Sequence, residues 1–491
     1  MKALLSIVFV ALSIVTIATA LLRRSEEPDV PVLFWITDPN PAREKQLEVF
    51  HQWLEDNDYP RFEVRVDTAN ADISKLLIQG ISGVAGDILD VTTQKTLPYF
   101  AEIGLLRELE EPAQRMGFTT AATYPALSTA LEYNDRQYGF PCNVNTWMLV
   151  GNRDLFEELD LPIPPPAWTL NEFEAAGKAF VKKANADREG PRIFFTNPLR
   201  TEILRRGFGL DLYNETLTRC IADDPRNAEM LECLHQWTYE DRIMPSPTDL
   251  ASASSDSGEG RLEFQLFQQE RYAMLFTGRH VVITMREAGL DFDLSLSASP
   301  YKIFNHTMIS ARAAAIYQGS QHPDLAAYFL KFLTSPEYSE LISEDGDGLP
   351  PSPELARSEA FLFPADYPNE HDLHEGFVEA ADTIGIPASI SPFISPFLAN
   401  RIELNHTNAF TADLYDAKEA SRRIAQDINE EIQRTLEANE HMRARYEDLL
   451  HIQSRINEYK EAGNQIPADW VSNPFYRKMY AEQGMLLEDG Q

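Results

Sequence analysis

The chain has 491 residues, with 43 Lys+Arg against 76 Asp+Glu and a formal net charge of −33. An acidic surplus this large argues against nucleic acid or anionic lipid as the main partner, because a polyanion has to be held by clustered cations. A hydrophobic share of 44% and a charged share of 24% are those of a folded body rather than an acidic disordered tail, and at roughly 150 residues per domain the length points to two to three domains.

After Lys2, residues 3–22 carry no charge. As a helix, a run of about 20 residues matches the ~30 Å hydrocarbon core of a bilayer. Residues 1–24 therefore read either as an N-terminal membrane anchor, favoured by the length of the run, or as a cleaved signal peptide, favoured by the small-x-small site Ala18-Thr19-Ala20. Arg23 and Arg24 on the far side leave the orientation open. Both readings export the acidic body, to the periplasm or the outer face of the cytoplasmic membrane. No cysteine precedes Cys142, which argues against a lipoprotein anchor.

From Pro31 the pattern alternates strand and helix. Val32-Leu33-Phe34-Trp35-Ile36 is a continuous apolar run, as a strand buried on both faces requires. Asn40-Pro41 is a cap followed by a favoured first helical position, and Leu47, Phe50 and Leu54 then recur at helical spacing. Phe62, Val64 and Val66 alternate as a second strand; Ile73, Leu76, Leu77 and Ile81 form the next helix; Ile88 to Val91 form a third strand. This βαβαβ order predicts an α/β domain whose ligand sits beyond the carboxyl ends of the strands, at Thr37-Asp38, Asp67-Thr68 and Asp90 to Thr92.

Farther on, Thr169 and Glu172 form a capping box that opens a helix, and Ile193-Phe194-Phe195 is a strand ending at Thr196-Asn197. Residues 246–260, rich in Ser, Asp, Gly and Pro, read as a surface loop. Residues 273–276 and 313–316 are strands, and residues 324–333 form a strong helix. The proline-rich sector 350–396 predicts short surface helices, and residues 413–460 a long charged helical stretch with Ile424, Ile428, Ile432 and Leu436 on one stripe. Of the three cysteines, Cys220 and Cys233 either pair as a local staple or stay as unrelated buried thiols, leaving Cys142 over.

No Gly-x-Ser-x-Gly elbow, phosphate loop or His-Glu-x-x-His motif occurs, so no enzyme, cofactor or metal is expected. His371 and His374, flanked by Glu370 and Glu375, read as an exposed polar helix in preference to a metal site. Asp345-Gly346-Asp347-Gly348 fails the calcium-loop pattern because Leu349 occupies the next ligand position.

Four segments, in order, carry a resemblance. The first, at residues 83–109, runs Gly-Asp-Ile and then Phe-Ala-Glu-Ile-Gly-Leu-Leu-Arg-Glu-Leu. The second, at 137–173, holds Gln-Tyr-Gly-Phe-Pro, Asn152-Arg153-Asp154-Leu155-Phe156, Ala167-Trp168 and Glu172-Phe173. The third ends Tyr272-Ala273-Met274-Leu275-Phe276-Thr277-Gly278, and the fourth, at 322–337, runs from Pro-Asp-Leu-Ala-Ala-Tyr to Thr-Ser-Pro-Glu. Together they resemble the extracellular solute-binding proteins of ABC importers, specifically the sugar-binding family that includes the maltose-binding protein. Gly86, Arg153, Ala167 and Glu270 depart from that pattern; Glu270 stands where a glycine is customary before Arg271.

The resemblance implies a periplasmic-binding-protein-like α/β fold: two α/β lobes joined by a hinge, with ligand in the cleft between them. Lobe I would take residues 30–141 and about 310–345, lobe II residues 142–305 and about 350–440, and residues 441–491 a helical extension. Implied partners are a small molecule, most simply a carbohydrate, and ABC permease subunits, with the body a monomer. A sugar cleft needs planar hydrogen-bonding groups and flat aromatic platforms. Strand-end and crossover positions offer Trp35, Asp38, Asn40, Asp90, Thr92, Asn143, Asn145 and Trp147, with Asn197, Arg279 and His280 from lobe II. Structural alternatives stand beside them: core packing for Trp35, capping for Asp38 and Asn40, satisfaction of buried amides for Asp90, and a lobe-stabilising ion pair for Arg279. Trp53, Trp168 and Trp237 lie on helical patterns and read as core. A non-sugar ligand such as a polyamine, a phosphodiester or iron, or a secreted carbohydrate-active enzyme, are the rival readings. Beyond residue 440, Met442, Tyr446, Leu449, Leu450, Ile452 and Ile456 predict an amphipathic helix that packs on lobe II or docks on the permease.

Overall fold

The computed structural model describes residues 30–186, 188–253, 259–290 and 292–487. Its frame is one nine-stranded sheet in the order β2-β1-β3-β10-β6-β8-β7, with β11 on β10 and β9 on β6. In the first half, β1 (Val32–Ile36) runs parallel to β2 (Glu63–Asp67) and β3 (Ile88–Thr92). Alternation along β1 explains its two faces. Leu33 and Trp35 pack with Phe50, Trp53 and Phe329, whereas Ile36 joins Leu76, Leu97 and Phe100 on the opposite side.

A two-residue hairpin, β4 (Glu132–Tyr133) and β5 (Arg136–Gln137), leads into β6 (Phe140–Asn152), the longest strand. In the second half, β7 (Phe194–Thr196) lies parallel to β8 (Tyr272–Gly278), and β9 (Leu294–Ser297) pairs with β6. β10 (Thr307–Ile316) is antiparallel to β3 through Asp90↔Ala314 and to β6 through Ser310↔Asn145. The same β6 then continues against β8, Trp147↔Gly278. Both β6 and β10 therefore pass from one half to the other. A short third link, β11 (Gly385–Ile386), pairs parallel with the start of β10.

A separate core in the second half gathers Trp168, Phe173, Phe195 and Trp237. The helix Leu170–Ala184 opens with the full capping box, Thr169 Oγ1 accepting from the Glu172 amide and Glu172 Oε2 from the Thr169 amide. Residues 246–260 are not a plain loop: Pro247–Ala253 and Glu259–Gln268 are helices, and residues 254–258 lie outside the described ones. All three cysteines are free thiols, so Cys220 and Cys233 form no staple.

Glu270 adopts φ +55°, the left-handed region that favours glycine. Glu270→Gly is therefore expected to raise the unfolding free energy by about 1 kcal/mol; an unchanged or lower urea midpoint would contradict this.

After β11 come the helices Pro396–Thr411, Ala417–Ala438 and Glu440–Ala462, then a terminal helix, Pro474–Glu482. Ile424, Ile428, Ile432 and Leu436 form the buried stripe read from the sequence. The terminal residues Phe475, Tyr476 and Tyr480 pack with Phe304 and Ile386, beside the starts of β10 and β11. Among the described residues no helix is long and apolar enough to cross a membrane; residues 3–22 lie outside them.

Candidate functional site

The ends of β1 and β3 meet the crossing strands at a buried charge cluster. The Asp90 carboxylate accepts from Trp35 Nε1 (2.7 Å), Thr37 Oγ1 (2.5 Å) and Arg312 Nη1 (2.7 Å). Next to it, Asn143 Nδ2 donates to Asp347 Oδ1 at 2.8 Å, and Arg43 reaches both Asp38 (3.0 Å) and Asp347 (3.8 Å). Residues 347–349 run beside β6, where Val144 and Leu349 exchange backbone hydrogen bonds. Gly348 is what allows that approach, since a Cβ there would lie 2.6 Å from the Val144 carbonyl oxygen and 3.1 Å from Asn145 Nδ2.

These contacts give several of the expected residues structural roles. Trp35 is completely buried in the first core and offers no platform. Asp90 spends its carboxylate on the crossover, and Asn143 its Nδ2, while Asn143 Oδ1 is buried with no partner among the described residues. Asn197 is buried, bonded to Glu263 and to the Phe276 backbone. Arg279 is buried as well, its Nη1 donating to the carbonyls of Asp347 (2.5 Å) and Gly348 (2.7 Å) and its Nε to His374 Nδ1. Burial first, and then the neighbouring Arg286, lower its pKa to about 9, so it stays charged at neutral pH. It braces the crossover rather than facing an anionic ligand. His374 is likewise fully buried, with Nε2 3.0 Å from Glu370, so that face of the helix His371–Thr383 is not a polar surface.

Seven expected residues keep accessible surface, the partly buried Asp90 among them. Asp38 and Thr92 are exposed at strand ends, and Asn40 is half-buried, its Oδ1 accepting from the Ala42 amide. Burial works to raise the Asp38 pKa, but Arg43 and Arg312 hold it below the usual carboxylate range. Along the crossover, Asn145 and Trp147 are half-buried and His280 is exposed. His280 Nδ1 lies 3.3 Å from Asn145 Oδ1, and its ring meets Trp147 edge-on at 5.9 Å. Trp147 is not a bare surface: the Arg200 guanidinium sits 3.8 Å from its ring centroid, and its indole N–H has no partner among the described residues.

Arg200 also borders a cavity of about 140 Å³. Gln94 and Lys95, just past β3, form one side, and Arg206, Ser389 and Asn400 the other. Sequence reasoning missed these residues; their only signal was position, since Gln94 and Lys95 directly follow a strand end. Lys95 Nζ reaches Asn400 Oδ1 at 3.4 Å, and Gln94 Nε2 lies 3.5 Å from Met308 Sδ. Among the described residues no group of three or more His, Cys, Asp or Glu is placed to hold a metal ion.

Two buried histidines give the fold an acid limit. Burial holds His374 neutral, with its pKa lowered to about 4, and His306 neutral, lowered to about 3. Both folded values lie below the unfolded one near 6.5, so below pH 6.5 the unfolded chain binds protons that the folded chain refuses. Stability is expected to fall on the order of 3 kcal/mol per histidine between pH 6.5 and 4. A urea midpoint that stays flat over that range would contradict it.

Two α/β halves that share crossing strands define a two-lobed α/β fold. A profile of bacterial extracellular solute-binding proteins matches residues 48–369, and the chain belongs to that family, a family of exported binding proteins. Similar solved structures include the ABC substrate-binding protein of Listeria monocytogenes in complex with cycloalternan, with a TM-score of 0.68 and 20% identity over 82% of this chain and 99% of that one. The sugar-binding protein MalE of Xanthomonas citri gives 0.64 and 17% over 82% and 98%. The maltose/maltodextrin-binding domain of Bdellovibrio bacteriovorus bound to maltotriose gives 0.62 and 15% over 83% and 100%. No curated protein matches the chain by sequence. The four segments thus pointed to the right family and fold.

Proposed function

We propose that the protein is the substrate-binding component of an ABC import system, which captures a carbohydrate between its lobes and delivers it to membrane permease subunits. The observation that carries this reading is the accessible strip from Asp38 and Thr92 through Asn145, His280 and Trp147 to Arg200. It sets an aromatic ring among planar polar groups, as a sugar's weakly apolar faces and hydroxyl rim require. Ligand touching both lobes stabilises the closed state by its differential affinity, and the closed form is what the permease reads. The three relatives named above are described with, or as binding, saccharides. Lobe I would comprise residues 30–141 and about 310–345, lobe II residues 142–305 and about 350–440. Binding without turnover, a monomeric body and anchoring through residues 3–22 complete the proposal.

A thermal-shift screen over sugars, polyols, polyamines and phosphate esters tests it. A sugar at 100 times its Kd should add about 2.7 kcal/mol of stability. Stabilisation by a polyamine or a phosphate ester alone would replace carbohydrate as the ligand, and product formation on long incubation would replace binding with catalysis.

A further inference from the structure

Beyond residue 440 the chain does more than lengthen the fold. The solved relatives are matched almost end to end, 99% for the Listeria protein, yet they cover only 82% of this chain. The extension contributes Arg445, Leu449, Asp469, Ser472 and Arg477 to a second cavity, of about 440 Å³. Tyr99, Glu102, Glu132 and Tyr133 of the first half form its opposite wall. This cavity shares Ala388, Ile390, Ser391 and Pro396 with the smaller one beside Arg200, so the two lie in series. Arg445 touches the hairpin turn at Asn134, bridging the extension to the first half. The extension is itself fixed by buried polar contacts: Asn473 Nδ2 donates to the Tyr213 carbonyl, and Lys460 Nζ and Tyr480 Oη both donate to Glu215 Oε1.

The polar inventory of the walls is unusual for a chain this acidic. Among the described residues, Arg445 and Arg477 make no ion pair; they donate only to Asn134 and to the Val471 carbonyl. Across the cavity, Glu102 has no cation partner, and Glu132 accepts from the Thr120 hydroxyl at 3.2 Å. Burial pushes both carboxyls above their usual range. Cations without an ion-pair partner thus line the same cavity as carboxyls without one, beside Asp469 and two tyrosine rings. An anion would meet Glu102 and Glu132, and a cation would meet the arginines. A hydroxyl both donates and accepts, so it suits both walls at once, and sugar faces suit the rings.

We propose that this second cavity is a distal subsite for a neutral polyhydroxylated chain, walled by the C-terminal extension, and that the ligand is a linear oligosaccharide long enough to reach both cavities. The proposal rests on the carbohydrate reading above and adds the ligand's length and the part of the chain that measures it.

Calorimetric titration of the full chain with maltose, maltotriose, maltotetraose and maltopentaose, and with the cello-oligosaccharides of the same lengths, tests it alongside Arg445→Ala/Arg477→Ala. In the series that binds, affinity is expected to rise at least tenfold from the disaccharide to the tetrasaccharide. The double variant should keep the disaccharide affinity and lose the gain with length, and Glu102→Gln on the opposite wall should lose it in the same way. Affinity independent of length, or a gain that survives both variants, overturns the subsite and leaves carbohydrate capture standing. A uniform loss at every length also overturns it, by assigning the arginines to lobe closure. Absence of binding by both series overturns the subsite together with the carbohydrate reading.

Discussion

Arg312→Ala is expected to lower the unfolding free energy by about 3–5 kcal/mol, because it leaves a buried carboxylate without its cation. Arg312 lies on β10 at the point where that strand pairs with both of its neighbours, opposite Thr92 of β3 and Asn143 of β6. Burial opposes its charge, yet Asp90 at 2.7 Å keeps the guanidinium firmly protonated. Without it, Asp90 retains only neutral donors, the Trp35 indole, the Thr37 hydroxyl and the Cys142 thiol, in a setting where an ionised group is costly to keep dry. Removing both charges separates pairing from packing. Arg312→Met with Asp90→Leu should recover at least half of the loss, since a well-packed apolar pair often replaces a buried ion pair without penalty. Urea denaturation reads both effects. A single variant within 1 kcal/mol of the native protein would show that the pair does not hold the crossover.

The same pair shows where sequence reasoning stops. The strands and the capping box were legible because each rests on local rules: an apolar run, alternation, a Thr and a Glu three residues apart. Asp90 was equally visible at a strand end, but its partner lies 222 residues away, and nothing local joins the two. It was therefore open to reading as a ligand contact when its oxygens already serve the crossover. The signal available was Arg312 itself, a charge inside an apolar strand, which requires a partner of opposite sign. Trp35 was ambiguous for a related reason. A strand-end tryptophan suits either a platform or a core, and only the helix packed over it, which brings Phe329 to 4.8 Å, decides for the core. His374 was masked by its charged neighbours on the helix, since the face it buries depends on Arg279, 95 residues earlier. Conversely, Asn145 and Trp147 stayed accessible because β6 exposes alternate residues where it leaves one lobe for the other.

On the proposed carbohydrate reading, Trp147→Ala is expected to raise the Kd for the sugar about thirtyfold, or about 2 kcal/mol, the usual scale for truncating an aromatic anchor. The stability change should be smaller than for a core tryptophan such as Trp168, which is buried against Phe173 at 5.1 Å. Trp147 meets Phe276 at 5.8 Å and His280 at 5.9 Å and carries Arg200 over its ring at 3.8 Å. A sugar seated on that face has to take the place of the guanidinium, exchanging a cation–π contact for ring burial and freeing Arg200 to donate to hydroxyls. Ligand should therefore change the tryptophan emission of the native protein, and this change should be absent in Trp147→Ala even at ligand concentrations that saturate the weakened site. Calorimetry supplies the affinity and fluorescence the environment of the ring. An unchanged Kd together with an unchanged emission response would remove Trp147 from the site and shift the platform to Tyr99 and Tyr133 in the larger cavity.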